Sequence, residues 1–173
     1  IRILLDQYDE AQQWVSQLKD VFGPERLFVE VMNHGIDIEK KLVPGQLMMA
    51  KHMGLRLVAT DDSHYARRSD AKHHEEMLCI QSGARMSDKP TDQGGRRFTF
   101  AGDQYYVKSA RHMSSLFPED DFPGALSNTL LVTEMASDIA VTFNPHLRPY
   151  PKIPEGFESD VEYVKHLVNE GFV

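Results

Sequence analysis

Several features that mark other classes of protein are scarce in this sequence of 173 residues. It has a single cysteine, Cys79, so no disulfide can form within the chain, which is typical of a reducing compartment. No apolar run approaches the roughly 20 residues of a transmembrane helix, and no apolar signal segment follows Ile1. We therefore expect a cytoplasmic protein with no membrane partner.

Three motifs that identify common enzyme classes are also missing. The sequence has no Gly-x-Gly-x-x-Gly, no P-loop and no Gly-x-Ser-x-Gly, so dinucleotide binding, P-loop nucleotide binding and serine hydrolysis find no support.

The sequence also lacks an excess of positive charge: 19 Lys and Arg against 26 Asp and Glu give a net charge of −7. A protein that binds DNA without help from metal ions or other proteins is usually basic. An acidic chain can still act on phosphates if metal ions supply the positive charge.

What is present in the first half of the chain predicts a βαβ unit. Residues 27–31 and 55–60 are short runs rich in β-forming residues. Between them we expect a helix that opens at Pro44, since proline is favoured in a first turn, and that ends at Gly54. Strands joined in this way lie parallel with a right-handed crossover. The residues that follow the two strands should then share one rim, where sites of such folds occur.

The remaining segments predict mainly helices and loops. Residues 98–100 and 105–107 could pair as a small hairpin, and the four prolines of 144–154 predict an extended segment. The chain does not begin with Met and a helical pattern reaches its last residues, so we expect a piece of a longer protein. Further helices are predicted from Tyr8 to Gly23, at 70–81, from Ser109 to Leu116, at 126–136 and over 161–168.

Polar side chains follow the second predicted strand at a spacing that suits a metal ion. In extended backbone, side chains two residues apart point the same way, so the Asp62 carboxylate and the His64 imidazole can meet one ion. Oxygen and nitrogen ligands suit zinc, manganese or iron. Asp61 could orient a ligating imidazole from behind. The alternative is that Asp61 or Asp62 caps a turn and that His64 is a polar surface residue.

Two further residues belong to the first predicted strand and its rim. His34 follows that strand and is a candidate for lining the site. Glu30 lies inside the strand among apolar residues, where a buried carboxylate needs a partner. Glu30 could bind a metal, orient a ligand or pair with an arginine, and we favour a structural role.

Five segments in the same order resemble the PHP (polymerase and histidinol phosphatase) domain of bacterial DNA polymerase III alpha subunits. Together they cover nearly the whole chain. The most specific runs from Asp61 to Tyr65 and resembles the final metal-ligand motif of the family. The others are residues 28–35, 70–83, 105–109 and 150–156.

The resemblance implies a fold and a division of the chain. The family fold is an irregular seven-stranded β/α barrel with metals at the carboxyl ends of its strands. This α/β chain would contain the C-terminal βα units of that barrel, followed by a mainly helical extension. Residues 1–82 would be the C-terminal part of the PHP barrel, 83–143 a helical region linking PHP and palm, and 144–173 the start of the polymerase palm region. Of the family's metal ligands only the last two, Asp62 and His64, would fall in this chain.

The resemblance also implies an activity for the parent protein. It would be a DNA-directed DNA polymerase whose PHP site, using zinc, manganese or iron, trims the 3′ end of DNA. Magnesium would serve the polymerase site outside this chain, and the fragment alone would be inactive. The implied partners are primer-template DNA, deoxynucleotides, the sliding clamp and other replisome subunits.

Two alternatives remain. The barrel could be a catalytically silent scaffold that binds the polymerase core or a separate proofreading exonuclease. The chain could also belong to a stand-alone PHP phosphoesterase that acts on a small phosphate monoester.

Overall fold

A computed structural model describes residues 1–141 and 152–171 of the protein. The chain divides into two units, the first spanning Ile1–Ser137 and the second beginning at Asp138. None of the helices in the described part has the length and apolar character that a membrane crossing requires. The helices and strands of the described residues are α1 (Tyr8–Phe22), β1 (Phe28–Val31), α2 (Asp37–Met53), β2 (Arg56–Ala59), α3 (Ala71–Ser82), α4 (Ala110–Leu116), α5 (Ser127–Met135) and α6 (Asp160–Glu170).

The predicted βαβ arrangement is confirmed in the first unit. Strands β1 and β2 pair in parallel, with Phe28 opposite Arg56 and Val31 opposite Ala59. Val31 and Ala59 are buried with Leu57 in the hydrophobic core, which explains why these apolar runs form strands. Because the strands are parallel, the residues that follow them emerge at the same end of the sheet.

The start of α2 corrects the prediction for Pro44. The helix begins at Asp37, about two turns earlier, and Pro44 lies inside it on the exposed side. Proline has no N–H to donate to the Lys40 carbonyl, and on this side water can satisfy that carbonyl instead. Asp37 and Glu39 in the first turn favour a start at this point by complementing the helix dipole. The helix ends as predicted at Gly54, which has a left-handed φ of 62°.

The two edges of the sheet differ. The outer edge of β2 is covered by the segment that leads into α5, where the Ala59 N–H donates to the Ala125 carbonyl at 2.8 Å. The Asn128 side chain donates to the Leu57 carbonyl on the same edge, also at 2.8 Å. Beside β1 the described residues supply no further strand. The sheet therefore has two strands in the described part of the chain, and the seven-stranded barrel is not seen there.

The predicted hairpin between 98–100 and 105–107 is wrong. Neither segment forms a strand, and Tyr106 instead makes an isolated parallel bridge with Tyr65. The Val107 N–H donates to the Tyr65 carbonyl at 3.1 Å. The aromatic rings of Phe100 and Tyr105, one from each segment, do meet, with centroids 4.7 Å apart. The backbone after β2 thus takes the hydrogen bonds that the hairpin would have used.

The other predicted helices are confirmed. Ser109 caps α4 by accepting the His112 N–H at 3.2 Å. In the second unit Ser159 caps α6 by accepting the Glu162 N–H at 3.2 Å. The extended segment predicted for 144–154 lies mostly outside the described residues. The three-part division at residues 82 and 143 stays a prediction.

Candidate functional site

Asp62 and His64 lie on the turn that follows β2, and their side chains meet. Asp62 Oδ2 is 3.1 Å from His64 Nε2, with the two side chains 52% and 34% exposed. The two-residue spacing predicted this convergence for extended backbone; in the structure the chain turns here, with the Ser63 N–H donating to the Asp61 carbonyl at 2.9 Å. A carboxylate oxygen and an imidazole nitrogen therefore face each other where solvent can reach both.

His34 lies behind this turn and joins it to α2. Its Nδ1 is 2.6 Å from Glu39 Oε1, and a carboxylate can only accept, so the contact places a proton on Nδ1. The opposite nitrogen, Nε2, accepts the Asp62 N–H at 3.3 Å. Glu39 also accepts the His34 backbone N–H at 2.6 Å. His34 is 3% exposed and supports the turn from within; its role in lining the site stays a prediction.

Asp61 anchors the turn through a buried lysine. Lys108 Nζ lies 2.6 Å from Asp61 Oδ1, and the Lys108 side chain is only 1% exposed. The ammonium also donates to the Gln104 carbonyl and lies 4.9 Å from the centroid of the Tyr106 ring. The Ser63 hydroxyl donates to the other Asp61 oxygen at 2.8 Å. These partners compensate a buried cation that would otherwise be costly.

The same contacts fix the charge of Asp61. Burial is the largest single influence and acts to raise the pKa of this carboxyl. The hydrogen bonds from Lys108 and Ser63, with the charge of Lys108, outweigh burial, and the net pKa lies below the ordinary value. Asp61 is therefore ionised at neutral pH. Asp61 Oδ1 also lies 3.4 Å from Nε2 of the buried His34, and a role for Asp61 in orienting a ligating imidazole stays a prediction.

The segment of residues 104–108 completes the support, and the sequence analysis missed it. The Tyr105 carbonyl accepts the N–H of His64 at 2.7 Å and that of Tyr65 at 3.2 Å. The Tyr105 ring stacks on His34, with centroids 4.5 Å apart and planes 13° apart. The one available signal was the resemblance at 105–109, which says nothing about what the segment contacts.

Aromatic rings surround His64 on its protein side. Its ring centroid lies 4.5 Å from that of Phe100, 5.3 Å from that of His74 and 6.0 Å from that of Tyr105. Burial, and secondarily the charge of His64, lowers the pKa of His74 below its ordinary value. His74 is therefore uncharged at neutral pH. These rings restrict where the His64 imidazole can turn.

Glu30 does not lie where it was expected. Its side chain is exposed, and Oε1 accepts the Thr60 hydroxyl at 2.8 Å. The prediction of a buried carboxylate is wrong because one face of the two-stranded sheet stays open among the described residues. The contact with Thr60 joins the two strands across the sheet. Among the described residues Glu30 has no arginine partner.

The described residues contain part of the donor set that a metal centre needs. Asp62 and His64 supply an oxygen and a nitrogen that converge and are open to solvent. Such a pair suits zinc, manganese or iron. Across 1–141 and 152–171, however, no group of three or more His, Cys, Asp or Glu side chains is arranged to hold a metal ion. The pair therefore fits as two ligands of a larger site.

Comparison of the whole sequence with known proteins finds relatives named DNA polymerase III subunit alpha. A protein of Saccharopolyspora erythraea named DNA polymerase III subunit alpha is 45% identical over 133 residues, or 77% of this chain and 11% of that protein. A protein of the same name from Mycobacterium tuberculosis is 34% identical over 171 residues, which cover 98% of this chain. The chain is homologous to a segment of these alpha subunits. The Thermus aquaticus alpha subunit is similar over 99% of the chain, at 32% identity.

The similarity to alpha subunits predicted from the five motifs is thus confirmed. The chain spans between 11% and 14% of the length of these three curated relatives. No family model matches it.

Proposed function

We propose that this chain is the C-terminal part of a PHP domain, with the region leading to the palm, in a bacterial replicative DNA polymerase. The homology with alpha subunits over nearly its whole length supports this. So does the parallel βαβ unit with its polar turn at the carboxyl end of β2. The parent protein would add deoxynucleotides to a primer on template DNA, with the sliding clamp and other replisome subunits as partners. Its polymerase site would lie outside this chain and use magnesium.

Within that protein, Asp62 and His64 would bind a divalent metal ion in a site that hydrolyses the 3′-terminal phosphodiester of DNA. The observation that carries this proposal is the 3.1 Å approach of their side chains on an open turn. When bound, zinc, manganese or iron supplies Lewis acidity toward water and phosphate oxygens. The remaining ligands would come from residues outside the described part of this chain.

The residues behind the turn would keep the two ligands in place. Asp61 is held by Lys108, and the backbone N–H groups of Asp62 and His64 are held by His34 and the Tyr105 carbonyl. A donor pair that is already convergent needs little reorganisation when it binds its ion. The lowered pKa of Asp61 keeps that support ionised at the pH where replication occurs.

A second candidate is a silent scaffold. Among the described residues, Asp62 and His64 are not joined by a third metal ligand. If the other ligands of the barrel are also missing from the parent protein, the domain would serve only to hold the polymerase core or a separate proofreading exonuclease. A stand-alone phosphoesterase is a third candidate, and a polymerase palm encoded downstream in the same gene would exclude it.

Metal analysis of the full-length protein, combined with a 3′ exonuclease assay, separates these functions. We expect Asp62→Ala and His64→Ala to lose metal and hydrolysis together while polymerisation is kept. Asp92→Ala and His52→Ala are matched controls, since both side chains are exposed and lie off the turn. No metal and no hydrolysis in the unmutated protein would establish the scaffold, and full hydrolysis in Asp62→Ala would overturn the metal-ligand role.

A further inference from the structure

A cavity of about 210 Å³ lies between α3 and the loop that carries Phe100. Three rings line it, those of Tyr65, His74 and Phe100, together with the aliphatic side chain of Leu78. Two of these rings also touch His64, since the centroids of His74 and Phe100 lie 5.3 Å and 4.5 Å from its own. The cavity is therefore one layer of side chains away from the proposed metal ligands.

The charges around this cavity favour a ligand that is part aromatic and part anionic. Lys72 lines the cavity and, within the described residues, has no ion-pair partner. Glu75 also lines the cavity, and its carboxylate is paired with the guanidinium of Arg97. What remains for a ligand is a set of rings and one positive charge.

The rim of the cavity leaves space for entry. Gly102 lies at the rim with a φ of 86°, and a Cβ there would meet no atom within 4 Å. A nucleotide combines a flat ring with a phosphate, and aromatic side chains bind bases of every sequence because each base has a π-face. A site that removes whichever nucleotide ends the strand requires that tolerance. The rings that line the cavity supply it.

We propose that this cavity binds the base of the 3′-terminal nucleotide, with Phe100 and His74 against the base and Lys72 toward a phosphate. The proposal rests on the proposed function of the neighbouring turn, because it places the terminal base beside the bond that is hydrolysed. Binding of the base would contribute affinity for the strand end, and the chemistry would stay with the turn.

The test measures 3′ hydrolysis by the full-length protein on two oligodeoxynucleotides, one ending in an ordinary nucleotide and one ending in an abasic residue. We expect the ordinary end to have a KM about tenfold lower, the size of one base–aromatic contact. Phe100→Leu should abolish this ratio, and Lys72→Gln should raise KM for both ends. Phe22→Leu and Lys51→Gln, outside the cavity, are the matched controls. A variant that merely disturbs folding would lower kcat for both ends and leave the KM ratio intact, so an unchanged ratio in Phe100→Leu overturns the proposal.

A second measurement keeps this test separate from that of the metal site. If the unmutated protein holds no metal and hydrolyses neither end, the proposed hydrolysis is wrong, and binding of an oligodeoxynucleotide with 3′-terminal 2-aminopurine is measured instead. Fluorescence quenching that Phe100→Leu relieves and Phe22→Leu does not would still support the base site. Quenching that is absent, or equal in both variants, would overturn it.

Discussion

Lys108 Nζ donates to Asp61 Oδ1 at 2.6 Å although 47 residues separate the two in the chain. The lysine approaches from the extended segment before α4, and the aspartate precedes the candidate ligand Asp62. This contact makes the turn after β2 depend on a distant segment.

We expect Lys108→Met to loosen the turn, because it removes the ammonium and leaves the Asp61 carboxylate without its main partner. Breaking a buried ion pair costs about 3 kcal/mol. Hydrogen exchange of the His64 and Tyr65 amides in the full-length protein measures the effect. The double variant Lys108→Met/Asp61→Asn removes both charges and should recover much of the protection. Equal protection in the single variant and the unmutated protein would show that the ion pair does not hold the turn.

The order of the loop that leads from α3 to Phe100 should depend on the charge of Asp88. The Arg85 N–H and, secondarily, the Arg96 guanidinium hold the pKa of Asp88 below its ordinary value; both hydrogen bonds are 2.8 Å long. A carboxyl whose folded pKa is depressed stabilises the fold above its unfolded pKa, and that contribution is lost as the pH falls through the folded value.

We therefore expect segment 85–97 to exchange faster near pH 3 than at pH 7, after correction for intrinsic rates. Asp88→Asn should produce the faster exchange already at pH 7. Asp92→Asn is the control, since Asp92 lies exposed in the same loop. If both variants behave alike, Asp88 has no special part in ordering the loop.

Gly45 of α2 provides a prediction about packing. It is buried, and a Cβ added there would overlap Cγ2 of Ile3. Gly45→Ala should therefore displace the short turn at Ile3–Leu5, even though alanine favours a helix over glycine by up to about 1 kcal/mol. In an Ile3→Ala background the overlap is relieved, so the same change should become stabilising. Hydrogen exchange of α2 and of residues 3–6 distinguishes the two results, and stabilisation in both backgrounds would contradict the overlap.

The 173-residue chain expressed alone should associate with itself. A sheet of two strands is marginal, and β1 has no neighbour on its outer side among the described residues. Such an edge pairs readily with another copy. Light scattering of the isolated chain measures the outcome. A monomer at all concentrations would count against an open edge.

Local sequence rules predicted helices and strands well where a single short-range preference, such as a cap or an apolar run, decides the structure. The apolar runs of β1 and β2, the glycine at the end of α2 and the serine cap of α4 all act within a few residues. The convergence of Asp62 and His64 was expected from their two-residue spacing, although the segment turns and is not a regular strand. Pro44 misled the prediction because its preference for a first turn competed with the acidic residues that start α2 earlier.

The support of the turn could not be predicted in this way. Whether Tyr105 and Val107 pair with 98–100 or with Tyr65 depends on which backbone groups the folded sheet leaves free. Likewise, nothing near Lys108 in the chain indicates that its charge will be buried against Asp61. These features depend on contacts between distant segments, which periodicity and local propensity do not contain.

The bond between Lys108 and Asp61 also bears on how this protein can be divided for experiments. A truncation after Ser82 would keep β1, β2, Asp62 and His64, and would look like a natural unit by sequence. It would nevertheless discard the lysine and the Tyr105 carbonyl that hold the turn. Loss of metal after such a truncation of the parent protein would then not identify missing ligands, because the support of the turn is lost as well, so the truncation should be made beyond α5.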